Sequence, residues 1–441
     1  MVRAAVAALL MFAAAPAQTI DWKSVEADAL ETLQGYVRIN TSNPPGDVTK
    51  AAGYLDDILR REGIDVTRYQ SAPGRAFVLA RLKGDGSGGK AIVLESHMDV
   101  VPTDPSRWSK DPFAAEIADG KMWGRGTIDM KGIGVSYLYA FVMLHRQHVP
   151  LSRDIVLLFV PDEEVGGEMG AEWMRQNHYA ELDPEYVIDE GGFGSRDMFT
   201  EGKLVFGISV AEKKLIWLKL RAEGVAGHGS QPVAQNASEH LVRALTRLFG
   251  EPVAAAPFPV VETMKRRIGG PLTSNKFMNA IQQSTISLTS LRSGVGDPPR
   301  ANVIPSVAEA TIDCRVLPGT TTAQWLRQLE SRLNDPMIQV DVVYEGPDPL
   351  VSPQDTKLYV ALERALKRRY PDAVVTPMTV PYGTDGNGYR ARGVKNYGFF
   401  PGIVPAASIL SMHGDSEFIP VDAIGPAIQI LYEALKETAS Q

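Results

Sequence analysis

Three short apolar runs in this chain each stop on a histidine or on carboxylates, and that repeated pattern limits what the chain can fold into. Ala91–Leu94 leads into Glu95-Ser96-His97-Met98-Asp99. Asp154–Val160, DIVLLFV, leads into Pro161-Asp162-Glu163-Glu164. Tyr186-Val187-Ile188 leads into Asp189-Glu190-Gly191-Gly192. Short continuous apolar runs rich in β-branched residues read as buried strands. In open α/β sheets, ligands collect at the strands' C-terminal edge, and here that edge would carry an imidazole and several carboxylates. A carboxylate near His97, such as Asp99, suits the need of a metal-binding imidazole to have its second ring nitrogen held. Glu163 and Glu164 are adjacent, so they cannot both point the same way. One can bind metal while the other acts on water.

Between the first two runs lies Trp123-Gly-Arg-Gly-Thr-Ile-Asp129-Met-Lys-Gly132, followed by a helix pattern with Ile133, Tyr137, Ala140, Phe141 and Leu144 on one face. Asp129 is then at a helix start, where taken alone it reads as an ordinary cap before it reads as a metal ligand. His and carboxylate donors together suit zinc, with cobalt or manganese as substitutes.

The character changes near residue 213. Strand and helix patterns follow in the order βαββαβ to about residue 346, which is a ferredoxin-like unit. The larger sheet then resumes. The expected fold is therefore α/β: a domain of residues 18–212 and 347–441 with a mixed sheet flanked by helices, and an inserted ferredoxin-like lid or dimerisation domain at 213–346. A length of 441 residues fits two such units. The net charge of -7 argues against a nucleic-acid partner. Residues 1–17 combine Arg3, a short apolar run and Ala15-Pro16-Ala17, the pattern of a cleaved signal peptide. Export, to the periplasm, is the expectation, and no later segment is apolar enough for a membrane span. Cys314 is the single cysteine, so no intrachain disulfide is expected.

The motifs SHMDVVP, WGRGTIDMKG, PDEEVGG, IDEG, GHGS, NVIP, DCRV and MHGDSE, in this order, resemble the dinuclear zinc hydrolases that include aminoacylase-1, glutamate carboxypeptidases, carnosinases and succinyl-diaminopimelate desuccinylase. The resemblance covers nearly the whole chain after residue 17. It implies that Asp129 bridges two zinc ions, with His97 and Glu190 completing one site and Glu164 and His413 the other. Asp189 competes with Glu190 for its place. Asp99 would orient His97, and Glu163 would be the general base. His228 would act across a homodimer formed through the inserted domain. Asn302 would lie on the substrate side, and Arg315 would grip a substrate carboxylate.

One segment departs from these relatives. Where many carry Thr-Asp-x-Arg, this chain has Thr384-Asp385-Gly386-Asn387-Gly388-Tyr389-Arg390. Asn387 replaces the arginine at this substrate-side position, so either Arg315 alone holds the substrate carboxylate or Arg390 reaches in from a loop loosened by its glycines. The expectation is a roomier pocket for bulky or apolar groups, with Arg315 the main anchor. The implied reaction is hydrolysis of an amide or peptide bond next to a free carboxylate, as in a carboxypeptidase, a dipeptidase or an N-acyl-amino-acid hydrolase. A dinuclear-metal phosphoesterase and a non-catalytic periplasmic binding protein are the alternatives.

Overall fold

The computed structural model describes residues 19–253 and 257–440, so the signal-peptide assignment lies outside the described residues. Among the described residues, twelve strands build the two larger sheets. In chain order they are β1 (Val66–Gln70), β2 (Ala76–Leu82), β3 (Ala91–His97), β4 (Ile155–Val160), β5 (Pro184–Ser195) and β6 (Val205–Glu212), then β7 (Lys214–Glu223), β8 (Thr285–Ser293), β9 (Val307–Val316) and β10 (Ile338–Glu345), and last β11 (Val374–Val380) and β12 (Lys395–Ile403). The large sheet has the order β1-β2-β4-β3-β5-β12-β6-β11 and is mixed. Its middle strands β4, β3, β5 and β12 run parallel to one another.

Every residue of β3 and β4 is buried, because helices cover both faces of the sheet. The period-2 alternation of a strand sorts their side chains. Ile92, Leu94, Ile155, Leu157 and Phe159 join the major core, while Val93, Val156 and Leu158 join a smaller one that includes Met174 and Tyr389. The Gly132–Arg146 helix is buried on all sides from Gly132 to Leu144, which explains its nearly unbroken apolar sequence.

The small sheet has the order β8-β9-β7-β10, all antiparallel, the arrangement expected of a ferredoxin-like unit. Ile216, Leu218 and Leu220 of β7 and Ala310, Ile312 and Cys314 of β9 pack against the helices Ala237–Gly250 and Thr322–Leu333. The inserted segment is not wholly spent on this domain. The helices Pro259–Ile268 and Lys276–Ala280 lie inside it, yet Val261, Met264, Ile268, Phe277 and Met278 belong to the large core.

β5 does not stop at Ile188 as the sequence suggested. It runs on to Ser195, so Asp189 and Glu190 lie within a strand. It pairs with β12 in register up to Asp189 opposite Gly398, then with shifted register at Phe193 opposite Phe400 and Gly194 opposite Ile403, while β6 also pairs with it from Phe193 opposite Gly207. Three strands crowd together here, and only glycines fit. A Cβ on Gly192 would meet the carbonyls of Gly207 and Gly398, and one on Gly398 would meet the carbonyl of Glu190. Gly398→Ala is therefore expected to destabilise the protein by about 1–3 kcal/mol through overpacking. Chemical denaturation checks this; an unchanged midpoint would show that the crossing is looser than described.

Candidate metal centre

Donor groups from five separate segments meet at the C-terminal edge of the large sheet. His97 ends β3, Glu163 and Glu164 lie in the turn after β4, and Glu190 is in β5. Asp129 lies in the turn before the buried helix Gly132–Arg146, with extended backbone angles of φ -125° and ψ 93°. It is therefore not a helix cap. His413 follows the short helix Ala406–Ile409.

The two oxygens of Asp129 face two different imidazoles. His97 Nε2 is 3.2 Å from Oδ1 and His413 Nε2 is 3.0 Å from Oδ2. Each ring also faces a glutamate, His97 Nε2 at 3.8 Å from Glu190 and His413 Nε2 at 3.2 Å from Glu164. Donor atoms bound at about 2.0–2.2 Å around one tetrahedral zinc ion stand about 3.3–3.6 Å apart, so the spacing fits one cation on each side of Asp129. Glu163 joins the His97–Glu190 group, with its oxygen within 4.8 Å of their donor atoms. No hydrogen bond or ion pair among the described residues holds the Glu163 carboxylate.

The charge balance points the same way. Burial pushes Glu163, Glu164 and Glu190 above the usual carboxylate range, and the charge of Asp129 adds to all three shifts. The hydrogen bond to Asp129 lifts His413 to about 10. Buried carboxylates at this density need positive charge, which protons supply in the metal-free protein and cations would supply in the loaded one.

Strand alternation separates the two neighbours in β5. Glu190 faces the cluster, while Asp189 turns away and accepts a hydrogen bond from the Gly386 amide at 2.9 Å. Asp99 orients His97 through its backbone and not through its carboxylate. Its backbone carbonyl accepts from His97 Nδ1 at 2.9 Å, which leaves Nε2 to face the cluster. Its carboxylate is 3.7 Å from that ring and instead accepts from the amides of Glu163 and Glu164, both at 3.2 Å, and from Asn43 Nδ2 at 2.8 Å. Asp99 thus holds the turn that carries both glutamates.

The substrate-side residues are not gathered with this cluster. His228 and Asn302 stand side by side on a two-stranded ribbon of the small domain, both exposed, with His228 paired to Val303 and the Asn302 carbonyl accepting from Gly229. Arg315 lies on β9, held by two hydrogen bonds to Asp313. Arg390 requires a correction. The segment is a helix, Gly386–Ala391, and the Arg390 guanidinium is buried against Glu212 and the Asn396 carbonyl. The glycines serve close packing and not looseness, since a Cβ on Gly388 would strike the Arg175 guanidinium. Asn387 is also buried, and its Nδ2 donates to the Pro347 carbonyl.

Glu417 was missed by the sequence reading. It is fully buried, pairs with Arg125 at 2.5 Å, and accepts from the amides of Ile128 at 3.0 Å and Asp129 at 3.3 Å. Its sign in the sequence is an acid in the MHGDSE motif matched by a base in the WGRG motif. Tyr382 was missed as well. Its pKa is raised well above the usual value, first by burial and then by the charges of Glu190 and Asp129.

Residues 93–437 match the family model described as peptidase family M20/M25/M40. The chain belongs to this family. Human aminoacylase-1 is 28% identical over 382 residues, which cover 85% of this chain and 87% of the relative. Among M20 structures, a metallo-carboxypeptidase of Sulfolobus solfataricus superposes with a TM-score of 0.70 at 19% identity, covering 93% of this chain and 99% of that one. The Bacillus subtilis YXEP protein, a dinuclear metal-binding M20 peptidase, gives 0.60 at 15% identity, covering 94% and 98%. This chain is thus an M20 metallopeptidase or amidohydrolase acting on amide or peptide bonds, which sets aside the phosphoesterase and the binding protein.

Because Glu417 holds the turn that presents Asp129, Glu417→Gln is expected to weaken zinc binding by roughly 10–100-fold. A zinc titration against a competing chelator measures this. Unchanged affinity would mean that the turn holds its shape without the Glu417 charge.

Proposed function

We propose that this chain is an exported M20 hydrolase that binds two zinc ions and cleaves an amide bond next to a free carboxylate, with Glu163 as its base. The observation that carries this reading is the division of labour among the acids. Asp129, Glu164 and Glu190 each face an imidazole at 3.0–3.8 Å, a spacing a shared cation would bridge, whereas among the described residues the Glu163 carboxylate has no hydrogen-bonding partner.

Bound zinc would supply a Lewis acid and lower the pKa of water. His97 and Glu190 would hold one ion, His413 and Glu164 the other, and Asp129 both. Glu163 takes a proton from the attacking water and carries it to the amide nitrogen as the C–N bond breaks. Amide hydrolysis needs that delivery because an unprotonated amine is a poor leaving group. Arg315, on the small domain, would bind the substrate carboxylate in competition with Asp313.

Export and homodimerisation belong to the same proposal. Support for the first is the pattern of residues 1–17, and for the second an unpaired outer edge on β8 with Leu288 and Leu291 exposed. N-terminal sequencing of the mature protein and sedimentation check the two.

Glu163→Gln keeps the shape and removes the basic oxygen. Turnover of N-acetyl-amino acids by the zinc-loaded variant is expected to fall by about a hundredfold or more, with zinc content retained. Loss of zinc with loss of activity would instead make Glu163 a ligand.

A further inference from the structure

Among the described residues, one face of the small sheet has no covering layer. Its other face packs on two helices, but the odd-numbered side chains of β7 and β9 point away from them. On this open face Trp217 is 42% exposed, and its ring lies 5.0 Å from that of Tyr344 at an interplanar angle of 41°. A β-bulge creates the pair. In β10 the register runs Val340 opposite Leu220 and Val342 opposite Leu218, then skips Val343 and sets Tyr344 opposite Trp217. Simple alternation would have sent Tyr344 to the helix side with Val340. One extra residue has turned it outward, a re-aiming that bulges provide near active sites.

The position of the pair follows from the chain path. Glu212 ends β6 and accepts from the Thr384 amide at 2.5 Å, two residues before Gly386, which donates to Asp189 beside Glu190. The crossing into the small domain follows at once. The crossing back lies beside it, with the Gly346 amide donating to the Leu215 carbonyl and Lys214 bridging Glu345 and Asp348. Leu215 is opposite Arg315, and Trp217 is opposite Asp313. The aromatic pair therefore stands one strand row, about 7 Å, beyond Arg315 on the same face. Burial raises Tyr344 above its ordinary pKa, and the charge of Glu168, in the turn that follows Glu163 and Glu164, adds to the shift. That turn exposes Val165 and Met169.

We propose that Trp217 and Tyr344 form a subsite for a large apolar amino-acid side chain, such as that of phenylalanine, on the substrate's carboxylate-bearing half. The assignment rests on the amide-hydrolase reading and on Arg315 as the carboxylate anchor. An amino acid held there carries its side chain on the atom next to the carboxylate, within reach of the next row. Asp313 beside Trp217 puts a like charge against any acidic side chain, so aspartate and glutamate are disfavoured.

The test uses zinc-loaded wild type, Trp217→Ala and Trp217→Phe with N-acetyl-L-phenylalanine, N-acetyl-L-alanine and N-acetyl-L-glutamate. Wild type is expected to favour the phenylalanine substrate. Trp217→Ala should lose about tenfold or more in kcat/KM for it, mainly through KM, with the alanine substrate within about twofold and Trp217→Phe largely restoring the preference. Calorimetric titration with L-phenylalanine reads the subsite without turnover, and its binding should weaken in Trp217→Ala by a similar factor. Equal losses on phenylalanine and alanine substrates, or unchanged phenylalanine binding, would overturn the proposal. So would a lowered association state of Trp217→Ala in sedimentation, which would make this face an interface between copies. If wild type hydrolyses none of the amides yet binds L-phenylalanine through Trp217, the hydrolase reading fails and the subsite stands.

Discussion

The like charge of four close-set carboxylates, two buried and two half-buried, beside two imidazoles is the constraint on which the rest of this structure depends. Asp129, Glu163, Glu164 and Glu190 come from three separate places in the chain and would repel one another in any close arrangement without cations. A fold can hold such a cluster only if its backbone positions are fixed by forces stronger than that repulsion. The parallel strands supply them. β3 and β4 are buried throughout, and their ladder sets His97 beside Val160, immediately before the turn that carries Glu163 and Glu164.

Backbone amides do the remaining positioning. The Asp99 carboxylate gathers two amides of the Glu163–Glu164 turn, and the Glu417 carboxylate gathers two at Asp129. Both acids are fully buried, and each is itself held, Asp99 by Asn43 and Glu417 by Arg125. Charge-assisted bonds of this kind are the stronger class of hydrogen bond. Acids that point at the cluster and acids that point at backbone thus have different work, although both kinds occur in the same motifs.

Much of the fold was legible in the sequence because apolar runs and their polar ends are local signals. The strands β3 and β4, the buried helix after Asp129 and the βαββαβ order of the small domain all follow from spacing. The fit failed where tertiary packing set the outcome. Glycine reads as looseness, yet Gly388 and Gly398 are there because a guanidinium and a carbonyl lie against them. The roles of Asp99 and Arg390 depend on which partner lies nearest, and those partners, the turn at Glu163 and Glu212, are distant in the sequence. Glu417 is invisible for the same reason, since its amide partners lie nearly three hundred residues away. The β10 bulge depends on register, which one strand's own sequence does not reveal.

The central claim is that Asp129 is shared by two cations. Anomalous diffraction from crystals grown with zinc tests it most directly. The account expects two zinc peaks, one bounded by His97, Glu190 and Asp129 and the other by His413, Glu164 and Asp129, with Glu163 coordinating neither. A single peak, or a second ion placed without Asp129 among its ligands, would contradict it.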